Sequence, residues 1–260
     1  MKYLKNFLKN KMYSKISMEI RKTLLEITFL KKAGHIASNL SIVDILVVLY
    51  KDFVKKNNKN QFILSKGHAC LSVYCVLSYF KYFSKSLLNS FGDNNTDMMC
   101  HISHKVPGVK ISTGSLGHGL PIAAGKAFAN RKIQIFVLLS DGELNEGSNW
   151  EALLFIAHHN LKNIKIIIDS NKIQSIDFVK NVIKMEPMSE KFRSFGFFVS
   201  SINGHSHKQI YQSLNKKNSK PHIIIANTTK GKGVGFMENS VLWHYKPPNK
   251  EELELAIKKL

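Results

Sequence analysis

Two stretches decide the fold: Ile133-Gln134-Ile135-Phe136-Val137-Leu138-Leu139-Ser140-Asp141-Gly142-Glu143 and, about thirty residues on, Ile164-Lys165-Ile166-Ile167-Ile168-Asp169-Ser170-Asn171-Lys172-Ile173. Each is an apolar run that ends in a polar, oxygen-rich turn. Residues 149–159 between them have a helical period, so the whole reads as strand, turn, helix, strand. Parallel strands need a crossover of that length, whereas an Asp-Gly hairpin would lead straight into an antiparallel strand. In such a unit both strand ends open on one edge of the sheet, where open α/β sheets bind ligands. The side-chain oxygens of Asp141 and Asn171 then arrive together as hard donors that suit Mg²⁺ or Ca²⁺. Gly142 permits close approach of a phosphate, and the following helix N-terminus favours an anion. The pattern points to a divalent ion holding a diphosphate at the sheet edge.

The flanking sequence extends the same alternation. Residues 1–32 are helical in period, a lead-in ahead of a loop at Gly34. Residues 41–50 predict a buried helix with Ser41 as its N-cap and Asp44 in its first turn. A polar turn at 57–60, a short strand at 62–65 and a helix at 69–80 follow. Residues 91–119 are mostly irregular, and a loop that long in a compact domain is usually functional. A small-residue helix is expected at 121–130, strands at 196–201 and 222–226, a helix at 206–214 and an amphipathic helix at 249–259. Alternating strands and helices predict a doubly wound, mostly parallel sheet with helices on both faces, in a single domain over residues 1–260 with a lead-in at 1–33.

Composition narrows the class. Hydrophobic residues make up 44% and aromatics 10%, ordinary values for a globular chain. No segment approaches the eighteen or so apolar residues of a membrane span, and the basic N-terminus lacks the apolar core and cleavage site of a secretory signal. The expected location is the cytoplasm. Three cysteines without a close pair argue against a disulfide framework, and Cys70 and Cys75 read as buried thiols. The net charge of +20 comes from 38 Lys+Arg against 18 Asp+Glu. Such a field suits anionic sugar phosphates or an acidic partner. The lysines are scattered in pairs among asparagines, a composition that an AT-rich coding sequence also produces, and no nucleic-acid motif accompanies them. Neither nucleic acid nor membrane is expected as a partner.

Asp141-Gly142-Glu143-Leu144-Asn145-Glu146-Gly147, followed by Asn149-Trp150-Glu151-Ala152-Leu153 and, further on, by Asn171, resembles the thiamine-diphosphate fingerprint in its transketolase form. Four more blocks appear in the family's order: Gly34-His35-Ile36-Ala37-Ser38, Leu64-Ser65-Lys66-Gly67-His68, Pro107-Gly108-Val109 running into Ser112-Thr113-Gly114-Ser115-Leu116-Gly117-His118-Gly119, and Thr229-Lys230-Gly231-Lys232-Gly233. Together they span residues 34–244. One departure is visible. The family usually has Gly-Asp-Gly, and the first position here is Ser140, whose Cβ bears on the approach of the diphosphate.

The resemblance implies thiamine diphosphate with Mg²⁺ (or Ca²⁺) as cofactors, held by Asp141, Asn171 and the main-chain carbonyl of Ile173. It implies cofactor contacts from His68, Gly114, Ser115, Leu116, Gly117, Gly142, Glu143 and His244. Glu151 resembles the carboxylate that links two cofactor sites across a dimer. His35, His68, His101 and His244 match imidazoles that act on the cofactor and the donor sugar, with His101 preferred to His104 for its distance to Pro107-Gly108. An imidazole titrates near working pH and can donate to a hydroxyl or relay a proton. His118 stands where many relatives carry glutamine. His158 and His159, mid-helix and far from any matched block, read as structural.

The implied reaction is two-carbon ketol transfer from a ketose (phosphate) donor to an aldose acceptor. Residues 1–260 correspond to the diphosphate-binding half of the family only, which implies a separate C-terminal subunit carrying the pyrimidine-binding domain, most simply as α₂β₂. Another thiamine enzyme, a 1-deoxyxylulose-5-phosphate synthase-like or 2-oxoacid dehydrogenase E1α-like protein, would share the metal motif. The blocks at Gly67-His68 and Ser115-Leu116-Gly117-His118-Gly119 favour transketolase over E1α. Intact Asp141, Asn171 and histidines argue against a non-catalytic scaffold.

Overall fold

The computed structural model describes residues 2–57 and 59–260; Met1 of the lead-in and Asn58 of the polar turn lie outside the described residues. Five strands, β1 (Gln61–Leu64), β2 (Ile135–Ser140), β3 (Ile164–Ser170), β4 (Phe198–Asn203) and β5 (His222–Asn227), form one sheet in the order β1-β2-β3-β5-β4. Every pairing is parallel, so the expected mostly parallel sheet is wholly so among the described residues. Because both faces are covered, the central strands are mostly apolar instead of alternating. Residues 135–139 of β2 are buried, as is all of β3.

Successive side chains of each strand feed two separate cores. Phe136, Leu138, Ile167 and Ile224 pack on one face against helices α1 (Lys2–Leu30), α2 (Ile36–Leu40), α3 (Val43–Leu49), α4 (Cys70–Tyr79), α10 (His207–Asn215) and α11 (Lys250–Lys259). Val137, Leu139, Ile166, Ile168 and Ile223 pack on the other against α6 (Gly119–Ala129), α7 (Gly147–His158) and α9 (Met188–Ser194). Two short helices, α5 (Lys85–Asn89) and α8 (Val179–Val182), complete the set; neither they nor α9 were among the expected elements. In α1 the positions Tyr13, Ile16, Ile20, Leu24 and Ile27 recur every three or four residues, the stripe that seats the lead-in helix on the core.

One local expectation fails. The helix expected at 41–50 is α3, which begins only at Val43; a further helix, α2, forms at 36–40 after the Gly34 loop, and Ser41 ends α2 instead of capping α3. Its hydroxyl donates to Ser38 O at 3.0 Å and to Asp169 Oδ2 at 2.8 Å. A deep carboxylate wins the hydroxyl from the helix terminus, because a buried charge left without donors costs more than an open cap. Asp44 does lie in the first turn of α3, yet its carboxylate turns to Arg21, His205 and His207. At the chain's other end Asn249 caps α11 in a full capping box with Glu252. No helix among the described residues is long and apolar enough to cross a membrane. Cys70 and Cys75 are buried free thiols, and Cys100 is exposed.

Candidate functional site

The register between β2 and β3 aligns Ser140 with Asp169, which brings the turns after both strands to one place. Asp141 Oδ2 accepts from the Lys172 amide at 2.6 Å and Oδ1 from the Gly142 amide at 2.9 Å. Asp141 is 1% exposed, Asn171 2% and Ile173 3%, so three oxygen-bearing residues meet in a desolvated corner. Lys172 sits at φ 71°, a left-handed conformation that costs of order 1–3 kcal/mol in a non-glycine residue and aims its amide at Asp141.

Above this corner opens a cleft of about 220 Å³ whose walls include His35, His68, His101 and His244. The rings form one cluster: His35 lies 5.0 Å from His68, 5.0 Å from His244 and 6.4 Å from His101, centroid to centroid. His35 also has a left-handed backbone, φ 65°, held by its amide donating to His244 O at 2.7 Å. His68 is delivered by a tight turn after β1. A Cβ at Gly67 would lie 2.2 Å from Thr113 O, so only glycine lets this turn pass beneath the 112–119 loop. His104 turns elsewhere, its ring meeting Ser112 Oγ at 2.8 Å, whereas His101 lines the cleft.

Of the other expected contacts, Gly114, Leu116, Gly142, Glu143, Asn171 and Ile173 line the cleft. Ser115, Gly117, Asp141 and Glu151 do not line it among the described residues. Asp141 lies just behind, at a neighbouring cavity. Gly117 is a support: its amide donates to Glu143 Oε1 at 3.0 Å, and its φ of +85° suits glycine alone. Ser115, His118 and Glu151 are exposed, and Glu151 sits on the outer face of α7. His158 and His159 pack near the end of α7, the His159 ring 4.4 Å from Phe155. Ser140 turns its hydroxyl into the turn, accepting from the Glu143 amide at 3.2 Å. Glu143 in turn accepts from Ser65 Oγ and from the Ser140 amide, tying the ends of β1 and β2 to the glycine loop.

The structure adds residues that sequence reading passed over. Asp169 is fully buried and accepts from Lys66 Nζ at 2.7 Å, Asn171 Nδ2 at 2.8 Å, Ser41 Oγ and Thr228 Oγ1. Lys230 Nζ donates to Ile173 O at 3.0 Å and pairs with His244 Nδ1 at 2.8 Å. Lys66, Lys230, Ser38, Gln174 and Tyr245 line the cleft as well. A charged residue at the end of a fully apolar strand was the available signal. Asp169 near the end of β3 and Lys66 just past β1 both announce buried charges that need each other.

The electrostatics follow from burial. Desolvation, then the Asp169 charge, raises Asp141 to about 6. Burial raises Glu143 too, against its hydrogen bonds. Burial alone would raise Asp169, but the Lys66 ammonium and its hydrogen bonds hold it below the usual value. Burial and neighbouring cations lower His35 to about 4, His244 to about 3 and His68 well below its ordinary value, so these imidazoles are neutral at pH 7. Burial and the nearby Lys66 bring Lys230 down to about 7.

The corner fits a hard divalent cation. Its donors are oxygens, and the Asp141 carboxylate is hydrogen-bonded only to main-chain amides, while burial and the Asp169 charge raise its proton affinity. No group of three His, Cys, Asp or Glu among the described residues suits a softer metal. The cleft also fits a polar ligand, since His35 Nδ1 is buried without a partner.

Residues 14–260 match the family described as "Transketolase, thiamine diphosphate binding domain". The chain is 40% identical over 242 residues to an apulose-4-phosphate transketolase subunit of Actinobacillus succinogenes, covering 87% of each. It is 32% identical to the 6-deoxy-6-sulfo-D-fructose transketolase subunit SqwG of a Clostridium species, covering 93% of each. Among solved structures, transketolase from Campylobacter jejuni is similar with a TM-score of 0.84 and 30% identity, over 95% of this chain and 42% of that one.

Proposed function

The chain belongs to the transketolase family, and we propose that it is the N-terminal, thiamine-diphosphate-binding subunit of a split transketolase that moves a two-carbon ketol unit from a ketose to an aldose. The single observation behind this reading is the cleft that joins four imidazoles to Asn171 and Ile173, with Asp141 bonded just behind to the intervening Lys172 amide. In it, Asp141, Asn171 and the Ile173 carbonyl hold Mg²⁺, and Gly142 and the glycine loop at Gly114–Leu116 receive the diphosphate. Bound there, thiamine diphosphate supplies the electron sink that makes cleavage of the ketose C–C bond feasible.

The side chains of this chain position the sugar and manage protons. With Lys230 protonated, His244 Nδ1 accepts and the ring proton sits on Nε2, ready to be donated to a sugar oxygen. His35 has a free buried Nδ1 within the same cluster, so it can take up a hydroxyl proton. Neutral rings serve both roles without first losing or gaining a charge. Lys66 and Lys230 balance the carboxylates around them and favour anionic ligands in the cleft. The two relatives are named for sugars with an anionic group, a phosphate or a sulfonate. A chain of net charge +20 suits such a substrate, and an anionic ketose is the proposed donor.

The relatives are named as subunits, and the chain spans only 42% of the Campylobacter jejuni enzyme. A second subunit with the pyrimidine-binding domain is therefore proposed to cover the cleft. Tyr245 of its wall is 62% exposed, and Ile176 (74%) and Leu242 (62%), next in sequence or nearly so to the wall residues Ser175 and His244, are exposed apolar side chains that suit a partner surface. A second exposed apolar patch, Ile122 and Phe128 on α6 with Leu154 and Phe155 on α7, lies beside Glu151 and supports an α₂β₂ assembly. The cytoplasm, where phosphorylated sugars are made and used, is the proposed location.

The test is calorimetry of thiamine diphosphate with Mg²⁺, with the partner subunit coexpressed. Asp141→Ala should weaken binding at least 100-fold, about 2.7 kcal/mol. It should leave the fold intact, since it removes a buried charge with no cationic partner. Unchanged affinity in the variant would refute the ligand assignment.

A further inference from the structure

At the amino-terminal edge of the sheet, opposite the cleft, lies a cavity of about 420 Å³ around the start of β3 and β5. Lys162, Lys165, Lys216, Lys217 and Lys220 line it, with Asn218 and His222. A neighbouring cavity of about 630 Å³ shares Gln134 and Lys162 and adds Arg131 and Lys132. Neither has an Asp or Glu among its described lining residues. Seven cations thus face one edge with no carboxylate between them.

Part of this has a structural cause. Lys165 Nζ donates to Lys216 O at 2.5 Å and lies 3.5 Å from Ser213 O, satisfying carbonyls at the C-terminal end of α10 where a cation is favoured. Capping does not account for the nitrogens beside it. His222 is 2% exposed and its Nε2 meets Ser200 Oγ at 2.9 Å, yet its Nδ1 is buried with no partner. Asn218 Nδ2 is likewise buried and unpartnered. Two unpartnered nitrogens thus share a cavity with five lysines, and in the tautomer where Ser200 donates to Nε2 the His222 Nδ1 carries a proton to give. Buried donors are nearly always satisfied, and beside five lysines and no lining carboxylate the acceptor that the cavity favours is anionic.

We propose that this basin binds a phosphoryl group, with Asn218 Nδ2 and His222 Nδ1 donating to its oxygens and Lys216, Lys217 and Lys220 balancing its charge. Burial lowers Lys165 to about 8, and an adjacent dianion favours its ammonium form. Free phosphate and a small phosphate ester present the same oxygens, and the experiment separates them.

The test is NMR of the full chain titrated with inorganic phosphate, at ionic strength held constant with sodium chloride. Saturable shifts are expected at the Asn218 side-chain amide and the backbone of residues 216–222. The triple variant Lys216→Gln, Lys217→Gln, Lys220→Gln should weaken binding at least tenfold. His222→Phe should weaken it at least fivefold although the charge at pH 7 is unchanged, which diffuse attraction to a basic surface would not produce. If His222→Phe does not fold, Asn218→Leu, at a half-buried position, decides in its place. Parallel titrations with glucose 6-phosphate and ATP identify the source: tenfold tighter binding of either assigns an organic phosphate, and equal binding assigns the free ion. Equal shifts with sodium chloride alone, shifts confined to the histidine cleft, or wild-type affinity in the neutral variant would overturn the proposal.

Discussion

At the carboxyl edge of the sheet, Lys66 and Lys230 are buried among Asp141, Glu143 and Asp169; at the amino edge, Lys165 is buried against main-chain carbonyls with no carboxylate nearby. Histidines with depressed proton affinity mark both places, His35, His68 and His244 at one and His222 at the other. The residue types match, and the counter-charge differs. Carboxylates paired with lysines give a fixed, nearly neutral network in which one acid, Asp141, is left without a cationic partner. Lysines without carboxylates leave a net positive field. The first arrangement prepares an edge for a cation and the second for an anion.

The sharpest way to break this comparison is Asp169→Asn. It leaves Lys66 buried without its counter-charge, and removing one member of a buried pair costs about 3–5 kcal/mol. Urea denaturation should show a loss of that size; less than about 1 kcal/mol would mean that the two edges do not differ in kind. The double variant Lys66→Met, Asp169→Leu should recover most of the loss, because it removes both buried charges.

Acid titration ranks next. The folded-state values of His35 (about 4), His244 (about 3) and His222 (about 3) all lie below the ordinary 6.5. Below that value the unfolded chain takes up protons that the folded chain resists. Their stabilising contribution is therefore complete above pH 6.5 and is lost as the pH falls toward 4 and 3. Thermal unfolding followed across this range should show a falling midpoint, and His244→Phe or His222→Phe should flatten the fall. A midpoint independent of pH between 6.5 and 4 would contradict the buried, neutral assignment at both edges.

Lys165→Met should have the smallest effect, within about 1 kcal/mol in chemical denaturation, because a lost helix-end contact and a relieved burial cost act in opposite directions. Lys165 also supplies an alkaline signature. Its folded value of about 8 lies below the ordinary 10.5, so its burial penalty is relieved, and stability rises, as the pH climbs from 8 toward 10.5. A loss as large as that of Asp169→Asn would show that carbonyls hold a buried ammonium as firmly as a carboxylate does.

Much of this molecule was legible in its sequence because the two apolar runs are long and their ends are chemically distinctive. Ile164–Ile168 had to be a strand buried on both faces, and the Asp-Gly pair ahead of a helical period excluded a hairpin. Of the four histidines of the cleft, His35 and His68 stand within motif blocks, and His101 and His244 were reached only by their position relative to one. Asp169 and Lys66 stand within or beside those blocks, but their partnership depends on the parallel register of non-adjacent strands, which no local pattern encodes. The break after α2 escaped for a related reason: Ser41 resembles a cap until a carboxylate 128 residues away takes its hydroxyl. The basic basin was invisible among evenly scattered lysines, since what singles it out is the missing acid in three dimensions.

The pairing of Ser140 with Asp169 has a genealogical consequence. Deleting one residue within β2 or β3 would change that register and reverse which of the two cores each displaced side chain meets, since neighbouring strand positions point oppositely. Gains and losses in the 159–163 connection leave that alignment alone. Lineages descended from this chain should thus vary in length at 159–163 while keeping the two strands countable residue for residue.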